Sequence, residues 1–141
     1  MGVDKMKRVL FVCIHNTARS VMAEALFNAM AKSWKAESAG VEKAERVDET
    51  VKRLLAERGL KAKEKPRTVD EVNLDDFDLI VTVCEESSCV VLPTDKPVTR
   101  WHIENPAGKD EGTYRRVLAE IEERVKKLVG ELEGGQSSSP L

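Results

Sequence analysis

The sequence predicts a single α/β domain with a central, mostly parallel four-stranded sheet and helices on both faces. Residues 9–12 and 77–83 are continuous apolar, β-branched runs, typical of strands buried on both faces of a parallel sheet. Segments with the 3.6-residue spacing of helices follow such runs. The 141 residues suit one domain. We expect this domain to span residues 1–133 and to be followed by a disordered tail at 134–141.

The first strand leads through a short polar turn into the first helix. After Ser20, apolar residues recur at helical spacing: Met22, Ala25, Leu26, Ala29 and Met30. The turn therefore lies at the carboxyl end of a strand and the amino end of a helix, where free N–H groups favour an anion. We predict a phosphate-binding loop here, with an oxyanion held by residues Ile14, His15, Asn16, Thr17, Ala18 and Arg19.

The later elements follow in order from shorter signals. Residues 34–41 predict a short second strand, and Asp48 is a plausible N-cap for a helix that stops at Gly59. Residues 66–73 predict a turn with one helical turn. The strand at 77–83 should lie beside the first strand, in the centre of the sheet. Residues 98–101 predict a last short strand, and a helix with one apolar stripe begins at Glu111.

Two side chains of the predicted loop point to chemistry on an anion. Cys13, among the N–H groups of a helix start and near a guanidinium, would be a thiolate near neutrality and hence a nucleophile. Arg19 can hold two oxygens of a tetrahedral oxyanion in a bidentate fork. Ser20 is placed to donate a hydrogen bond to the thiolate, and Asn16 suits a position with positive φ. The alternative is a structural cysteine that ends a buried strand.

Cys84 ends the second strong strand as Cys13 ends the first, so both should emerge at the same edge of a parallel sheet. Cys89 follows closely, and both thiols would then reach the Cys13 loop. The alternatives are ordinary core cysteines or a zinc site with a third ligand. His102 follows the last strand, where it is either an acid or base or a structural group packed beside Trp101.

Composition excludes several classes of partner. The 23 basic and 25 acidic residues form no basic block, so we expect no nucleic-acid partner. No apolar run approaches the roughly 20 residues that span a bilayer, and no signal peptide opens the chain, so we expect a cytoplasmic protein without a membrane partner. Three cysteines, an odd number, favour reactive thiols over a disulfide framework.

The run Cys13-Ile14-His15-Asn16-Thr17-Ala18-Arg19-Ser20 resembles the phosphate-loop signature of the low-molecular-weight protein tyrosine phosphatases and of the arsenate reductases built on the same fold. The resemblance covers about residues 7–130 and extends to residues 37–40, 92–93 and 105–109. The C-x5-R-S motif is specific for this superfamily, but it does not choose between the two activities.

Within the superfamily, two features resemble the thioredoxin-coupled arsenate reductases. Cys84 and Cys89 match the redox pair of that branch, with a shorter interval than the family usually has. Pro106 is followed by Ala107 and Gly108, whereas the phosphatases usually place aromatic residues there to sandwich phosphotyrosine. The resemblance implies that Cys13 attacks arsenate. Cys84 and then Cys89 would complete a disulfide relay that releases arsenite, detoxifies arsenic and is recycled by a thioredoxin-like protein.

The sequence departs from the family at the general acid. Asn105 stands where both branches usually have an aspartic acid, and an amide cannot be an acid. Glu104, one place earlier, is a candidate to substitute for this acid, as are Asp110 and Asp95. Some reductases bind potassium beside the loop, and Asn16, Glu24 and Ser38 resemble three of the ligands. Arg67 falls near the place of the expected acidic ligand, so we predict no metal, and we predict no other cofactor.

Two other functions stay open from the sequence. One is hydrolysis of phosphotyrosine or an aryl phosphate through a Cys13 phosphocysteine, because the loop is intact. The other is an oxyanion- or phosphoprotein-binding module without catalysis, which only Asn105 supports. We favour the arsenate reductase, with arsenate or a phosphate ester as substrate, a thioredoxin-like reductant as partner, and a monomeric state.

Overall fold

The sheet is fully parallel. In the computed structural model, which describes residues 6–85, 89 and 91–134, its strands are β1 (Lys7–Cys13), β2 (Trp34–Gly40), β3 (Leu79–Cys84) and β4 (Val98–His102). Their order is β2-β1-β3-β4, and every neighbouring pair is parallel. The prediction that the two most apolar strands pair at the centre is confirmed. Both are buried because each has a neighbouring strand on either side and covered faces.

In the described ranges, three α-helices connect and follow these strands: α1 (Arg19–Met30), α2 (Glu49–Glu57) and α3 (Glu111–Glu133). Asp48 caps α2 as predicted, since its side chain accepts a hydrogen bond from the Thr50 N–H at 2.8 Å. Gly59 takes a φ of +74° just after α2, a conformation that glycine adopts without strain. The residues that flank this helix, Asp48 and Gly59, were therefore both predicted from the sequence.

The two faces of the sheet are covered differently. Phe11 and Val81 face the apolar side chains of all three α-helices. Leu10 and Ile80, on the other face, pack against Phe77 and two 3₁₀ helices, Val69–Glu71 and Leu74–Asp76. Helices thus lie on both faces, as predicted, but among the described residues the second face is covered by 3₁₀ turns and loops alone.

The remaining boundaries differ from the predictions by one or two residues. Strand β3 begins at Leu79 because the Phe77 N–H still bonds to the Leu74 carbonyl at 3.2 Å, at the end of a 3₁₀ helix. Helix α3 runs to Glu133, the predicted end of the domain. The predicted tail lies outside the described residues, except for Gly134. Across the described ranges, no helix is long and apolar enough to cross a membrane.

Candidate active site

The loop between β1 and α1 is anchored through its carbonyl groups. The carbonyls of Cys13 and Ile14 accept hydrogen bonds from the N–H groups of Val41 and Glu42, at 3.0 and 2.7 Å. The Thr17 carbonyl accepts one at 3.2 Å from the residue that caps α2. With these carbonyls turned outward, the loop offers N–H groups and the start of α1 to its cleft, which is the arrangement that binds an anion.

A buried chain of hydrogen bonds reaches the sulfur of Cys13. The Cys13 Sγ lies 2.8 Å from the Ser20 Oγ. The Asn16 Nδ2 donates to the same Oγ at 2.8 Å and to the Ser38 Oγ at 2.9 Å. Because Ser20 already accepts from Asn16, its own hydrogen is available to the sulfur. Asn16 has the predicted positive φ, 58°, which is confirmed.

A largely buried lysine holds Asn16 from the other side. The Lys63 Nζ donates to the Asn16 Oδ1 at 2.7 Å, to the Ser38 carbonyl at 2.8 Å and to the Ser38 Oγ at 3.2 Å. It also lies 4.0 Å from a carboxylate oxygen of Glu24, which accepts a hydrogen bond from Ser38. Burial lowers the pKa of Lys63, against the opposing effects of Glu24 and Cys13. The ammonium group thus lies among the three side chains that resemble potassium ligands.

Arg67 completes this network. Its N–H donates to the Asn16 Oδ1 at 3.0 Å, and its Nε donates to the Ser38 carbonyl at 3.2 Å. Its guanidinium pairs with Glu37 on β2. Gly40 donates its N–H to the Arg67 carbonyl at 2.7 Å and lies so close under the loop that no side chain fits there. The Glu-Ser-Ala-Gly stretch of β2 therefore supports the loop.

Arg19 is almost fully buried, with 2% of its surface exposed, although it begins the first helix. Its Nη1 donates to the Ile103 carbonyl at 2.8 Å, which fixes the guanidinium beneath the loop. Burial lowers the pKa of Arg19, while Cys13 and Glu85 oppose that effect. The side chain is thus held as an oriented cation facing the nucleophile, and not as the surface arginine of the alternative interpretation.

The structure brings the loop together with the segment after β4 in one cleft. Its lining residues are Cys13, Ile14, His15, Thr17, Ala18, Arg19, Asn105 and Ala107. The exposed side chain of His15 contacts Glu42, with 3.2 Å between Nε2 and Oε1. Among the described residues, no phenylalanine, tyrosine or tryptophan lines the cleft. A phenol ring therefore has no described side chain of these three types to stack on.

None of the predicted substitute acids is among the described residues that line this cleft. Glu104 is paired with Lys109 at 2.6 Å and Arg116 at 2.7 Å, and these two hydrogen bonds hold its pKa below the ordinary value. Its carboxyl thus stays ionised at neutral pH and has no proton to give. Asp110 caps α3 by accepting from the Thr113 N–H at 2.9 Å. Asp95 is exposed before β4.

A different carboxylate lies beside the cleft. Glu85 directly follows β3, and its Oε2 accepts a hydrogen bond from the Asn105 N–H at 2.9 Å. It also interacts electrostatically with Arg19. The Asn105 side chain turns to its own loop, where its Oδ1 accepts from the Ala107 N–H at 3.1 Å. Glu85 therefore links the end of β3 to the position where the family's acid usually lies.

Cys84 and Cys89 form a disulfide, with their Cα atoms 5.2 Å apart, whereas Cys13 is free. A small cavity at the carboxyl edge of β1 and β3 is lined by both Cys13 and Cys84, together with Val12, Ile14, Val41, Thr82 and Val83. The predicted meeting of the strand-ending cysteines at one sheet edge is confirmed. Cys84 is buried and Cys89 is half-buried, so the second sulfur is the more accessible one.

Two residues of this site, Lys63 and Glu85, were not predicted from the sequence. Lys63 lies in an irregular segment, 47 residues from Asn16, and no local pattern marks its contact with the loop. Glu85 carried a usable signal, because it immediately follows a buried parallel strand and such positions face the ligand edge of the sheet.

Comparison with known proteins agrees with this geometry. The family model for low molecular weight phosphotyrosine protein phosphatases matches residues 8–137. An arsenate reductase of Brevibacillus brevis is 35% identical over 130 residues, which are 89% of this chain and 96% of that protein.

Two solved structures share the fold. The Corynebacterium glutamicum thioredoxin-dependent arsenate reductase has a TM-score of 0.72 at 28% identity, over 92% of this chain and 63% of that one. A low molecular weight protein tyrosine phosphatase from T. tengcongensis has a TM-score of 0.76 at 29% identity, over 89% and 99% of the two chains. By its loop, its sheet and these matches, the chain belongs to the low molecular weight phosphotyrosine protein phosphatase family, a family of enzymes.

Proposed function

We propose that this protein is an arsenate reductase that uses Cys13, Cys84 and Cys89 in a disulfide relay. The observation that carries the proposal is the Cys84–Cys89 disulfide beside a free Cys13, with Cys13 and Cys84 lining one cavity. This is the distribution of sulfur bonds expected at the end of one turnover. The similarity to named arsenate reductases supports the choice of substrate.

The first step is attack of the Cys13 thiolate on the arsenic of arsenate. The loop N–H groups and the Arg19 guanidinium bind the oxygens, and the Ser20 hydroxyl donates to the sulfur. A sulfur–arsenic bond forms, and one arsenic–oxygen bond breaks. The departing oxygen leaves as water with a proton from the solvent at the cleft, since Asn105 has none to give and Glu104 is ionised.

The second step transfers two electrons to arsenic. The Cys84 thiolate attacks the Cys13 sulfur, a sulfur–sulfur bond forms, and the sulfur–arsenic pair stays on arsenic, which leaves as arsenite. The Cys89 thiolate then attacks the Cys84 sulfur and frees the Cys13 thiolate. The short connection between Cys84 and Cys89 keeps their Cα atoms at 5.2 Å, within the range in which a disulfide closes.

A thioredoxin-like dithiol protein then reduces the Cys84–Cys89 bond. Cys89 is half-buried, so it offers the sulfur that an external thiolate reaches first. The reductase acts as a monomer in the cytoplasm, where such reductants are kept reduced. The similarity to a thioredoxin-dependent reductase supports this partner.

Aryl phosphate hydrolysis is the second candidate, and the complete loop with Cys13 and Arg19 favours it. The first step would be the same attack, on phosphorus. Water would then hydrolyse the phosphocysteine, so that Cys84 and Cys89 would have no part. Among the described residues, no phenylalanine, tyrosine or tryptophan lines the cleft, which argues against phosphotyrosine as its substrate.

Paired assays on three variants test the proposal. Arsenate-dependent oxidation of NADPH through thioredoxin and its reductase should disappear in Cys13→Ser, Cys84→Ser and Cys89→Ser. Hydrolysis of p-nitrophenyl phosphate should disappear only in Cys13→Ser. Arsenate turnover that survives in Cys84→Ser and Cys89→Ser would refute the relay.

A further inference from the structure

In the part of the chain that the structure describes, three potential metal ligands converge beside the active site. The sulfur atoms of Cys84 and Cys89 and a ring nitrogen of His102 all lie within 4.8 Å of one another. None of the steps of the proposed reductase uses His102. We infer that, when the disulfide is reduced, these three side chains form a binding site for a thiophilic divalent cation such as Zn²⁺.

The sheet fixes two of the three ligands. Cys84 ends β3 and His102 ends β4, and the two residues are register partners on these parallel strands. Partners on adjacent strands project from the same face of the sheet, about 4.8 Å apart along the hydrogen-bonding direction. The pair is therefore preorganised, and it needs no movement of the backbone to approach one ion.

The third ligand is brought in by the short connection after β3. Cys89 lies with its Cα 5.2 Å from that of Cys84. In a tetrahedral zinc site, two sulfur ligands about 2.3 Å from the metal are about 3.8 Å apart. Reduction breaks the bond between the sulfur atoms, and rotation of the two side chains then opens this separation without a change of fold.

The donor set and its exposure fit a borderline-soft cation. Two thiolates and one imidazole match the preference of zinc for sulfur and nitrogen, and three protein ligands leave a fourth position for water. Cys84 is buried whereas His102 is exposed, so the site opens to solvent at one side. An ion can therefore enter without local unfolding.

The redox state gates this site. A disulfide offers no thiolate, so the oxidised protein lacks two of the three ligands. Reduction adds two electrons and two protons, and metal binding then releases the two thiol protons. A bound ion occupies the sulfur of Cys84 and thus blocks its attack on Cys13. The site goes beyond the proposed reductase and needs no arsenate to be detected.

Cobalt is a suitable probe because thiolate ligands give Co²⁺ an intense sulfur-to-metal charge-transfer band. Titration of the reduced full-length protein with Co²⁺ should produce this band, and Zn²⁺ should displace it. Disulfide-oxidised protein should show none. Cys13→Ser should retain the band, which separates this site from the loop thiol.

The chain contains two histidines, which provide a matched pair of variants. His102→Ala should weaken Zn²⁺ binding by at least about 100-fold, because it removes a direct ligand and not only an outer-shell partner. His15→Ala, at an exposed histidine of the loop, should bind as the unchanged protein does. Both side chains are exposed, so both variants should fold, as circular dichroism would verify.

Equal affinities in the two histidine variants, or equal binding by oxidised and reduced protein, would overturn the metal site. Neither result would bear on the reductase proposal, which is tested by arsenate turnover. Conversely, absence of arsenate turnover in every assay would refute the reductase proposal but not the metal site.

Discussion

Lys63 provides the sharpest test of how the nucleophile loop is held. Its ammonium group donates three hydrogen bonds, two to Ser38 and one to Asn16, and it lies 4.0 Å from Glu24. Only 14% of its side chain is exposed. Lys63→Met keeps much of the side chain's length and apolar volume but removes the charge and the donors.

The expected loss of stability follows from the partners left behind. Removing one member of a fully buried charged pair costs about 3–5 kcal/mol. We take the lower end, about 3 kcal/mol, because the Lys63–Glu24 pair is only partly buried and Glu24 keeps its Ser38 hydrogen bond. For a chain of this length, that loss lowers Tm by about 10 °C. Lys61→Met is the matched control, since Lys61 is 84% exposed and pairs only at the surface, 3.8 Å from Glu64. Its Tm should change by no more than about 2 °C.

The loss should also depend on pH in a definite direction. Burial raises the pKa of Glu24, and Lys63 opposes that effect, so Lys63→Met should raise this pKa further. A carboxyl whose pKa is higher in the folded state than in the unfolded state binds more protons when folded. Its cost to the free energy of unfolding is therefore absent at low pH, and it appears as the pH rises from the unfolded-state pKa through the folded-state pKa. Lys63→Met should therefore lose more stability at about pH 8 than at about pH 5.

The same variant should slow catalysis through the loop. Lys63 fixes Asn16, Asn16 fixes Ser20, and Ser20 contacts the Cys13 sulfur. We expect kcat to fall by about 10- to 100-fold, because small misplacements of a reacting group have effects of that size. Thermal melts at the two pH values and steady-state assays check both expectations. A Lys63→Met protein with the Tm and kcat of Lys61→Met would refute this role of Lys63.

Three further changes probe the surroundings of the site. Gly40→Ala should lower the free energy of unfolding by about 1–3 kcal/mol in a denaturant titration and reduce turnover, because its Cβ would lie 2.7–2.9 Å from the loop backbone. Gly130→Ala, at an open helical position, should instead raise the free energy of unfolding by about 0.5–1 kcal/mol in the same titration. Thr82→Val should raise the free energy of unfolding by about 1 kcal/mol, since among the described residues the Thr82 Oγ1 is buried without a hydrogen-bond partner; a destabilised variant would contradict this. Glu85→Gln should lower kcat for arsenate several-fold and Glu104→Gln by less than about twofold, because the Glu85 carboxylate accepts the Asn105 N–H beside the cleft, whereas the Glu104 carboxylate pairs with Lys109 and Arg116. The reverse order would make Glu104 the important carboxyl.

Much of the fold was predictable because local patterns specify it. The β-branched runs in β1 and β3 mark buried parallel strands, and the Asp48 and Gly59 signals delimit α2. These features depend on residues that are close together along the chain, so they can be recognised in a single sequence. The covering of the second face was only partly predictable. The helical turn expected within residues 66–73 is the 3₁₀ helix Val69–Glu71, but Leu74–Asp76 was not predicted, because 3₁₀ helices carry little periodic signal.

In the candidate site too, the contacts within one local segment were predictable and the long-range contacts were not. The Cys13, Asn16 and Ser20 geometry follows from one strand–loop–helix segment, and the structure confirms the contact of Ser20 with the sulfur. The support from Lys63 depends on a contact across 47 residues, which no local pattern encodes. Glu104 appeared a plausible acid by position alone, but its basic neighbours on the folded surface keep it ionised.

The most direct test of the relay counts free thiols after a single exposure to arsenate. Fully reduced protein carries three thiols, and one equivalent of arsenate without added reductant should consume two of them. Alkylation and mass spectrometry should then find Cys84 linked to Cys89 and Cys13 still free. Three thiols surviving in the presence of arsenate would contradict the reductase mechanism and leave hydrolysis as the chemistry of this loop.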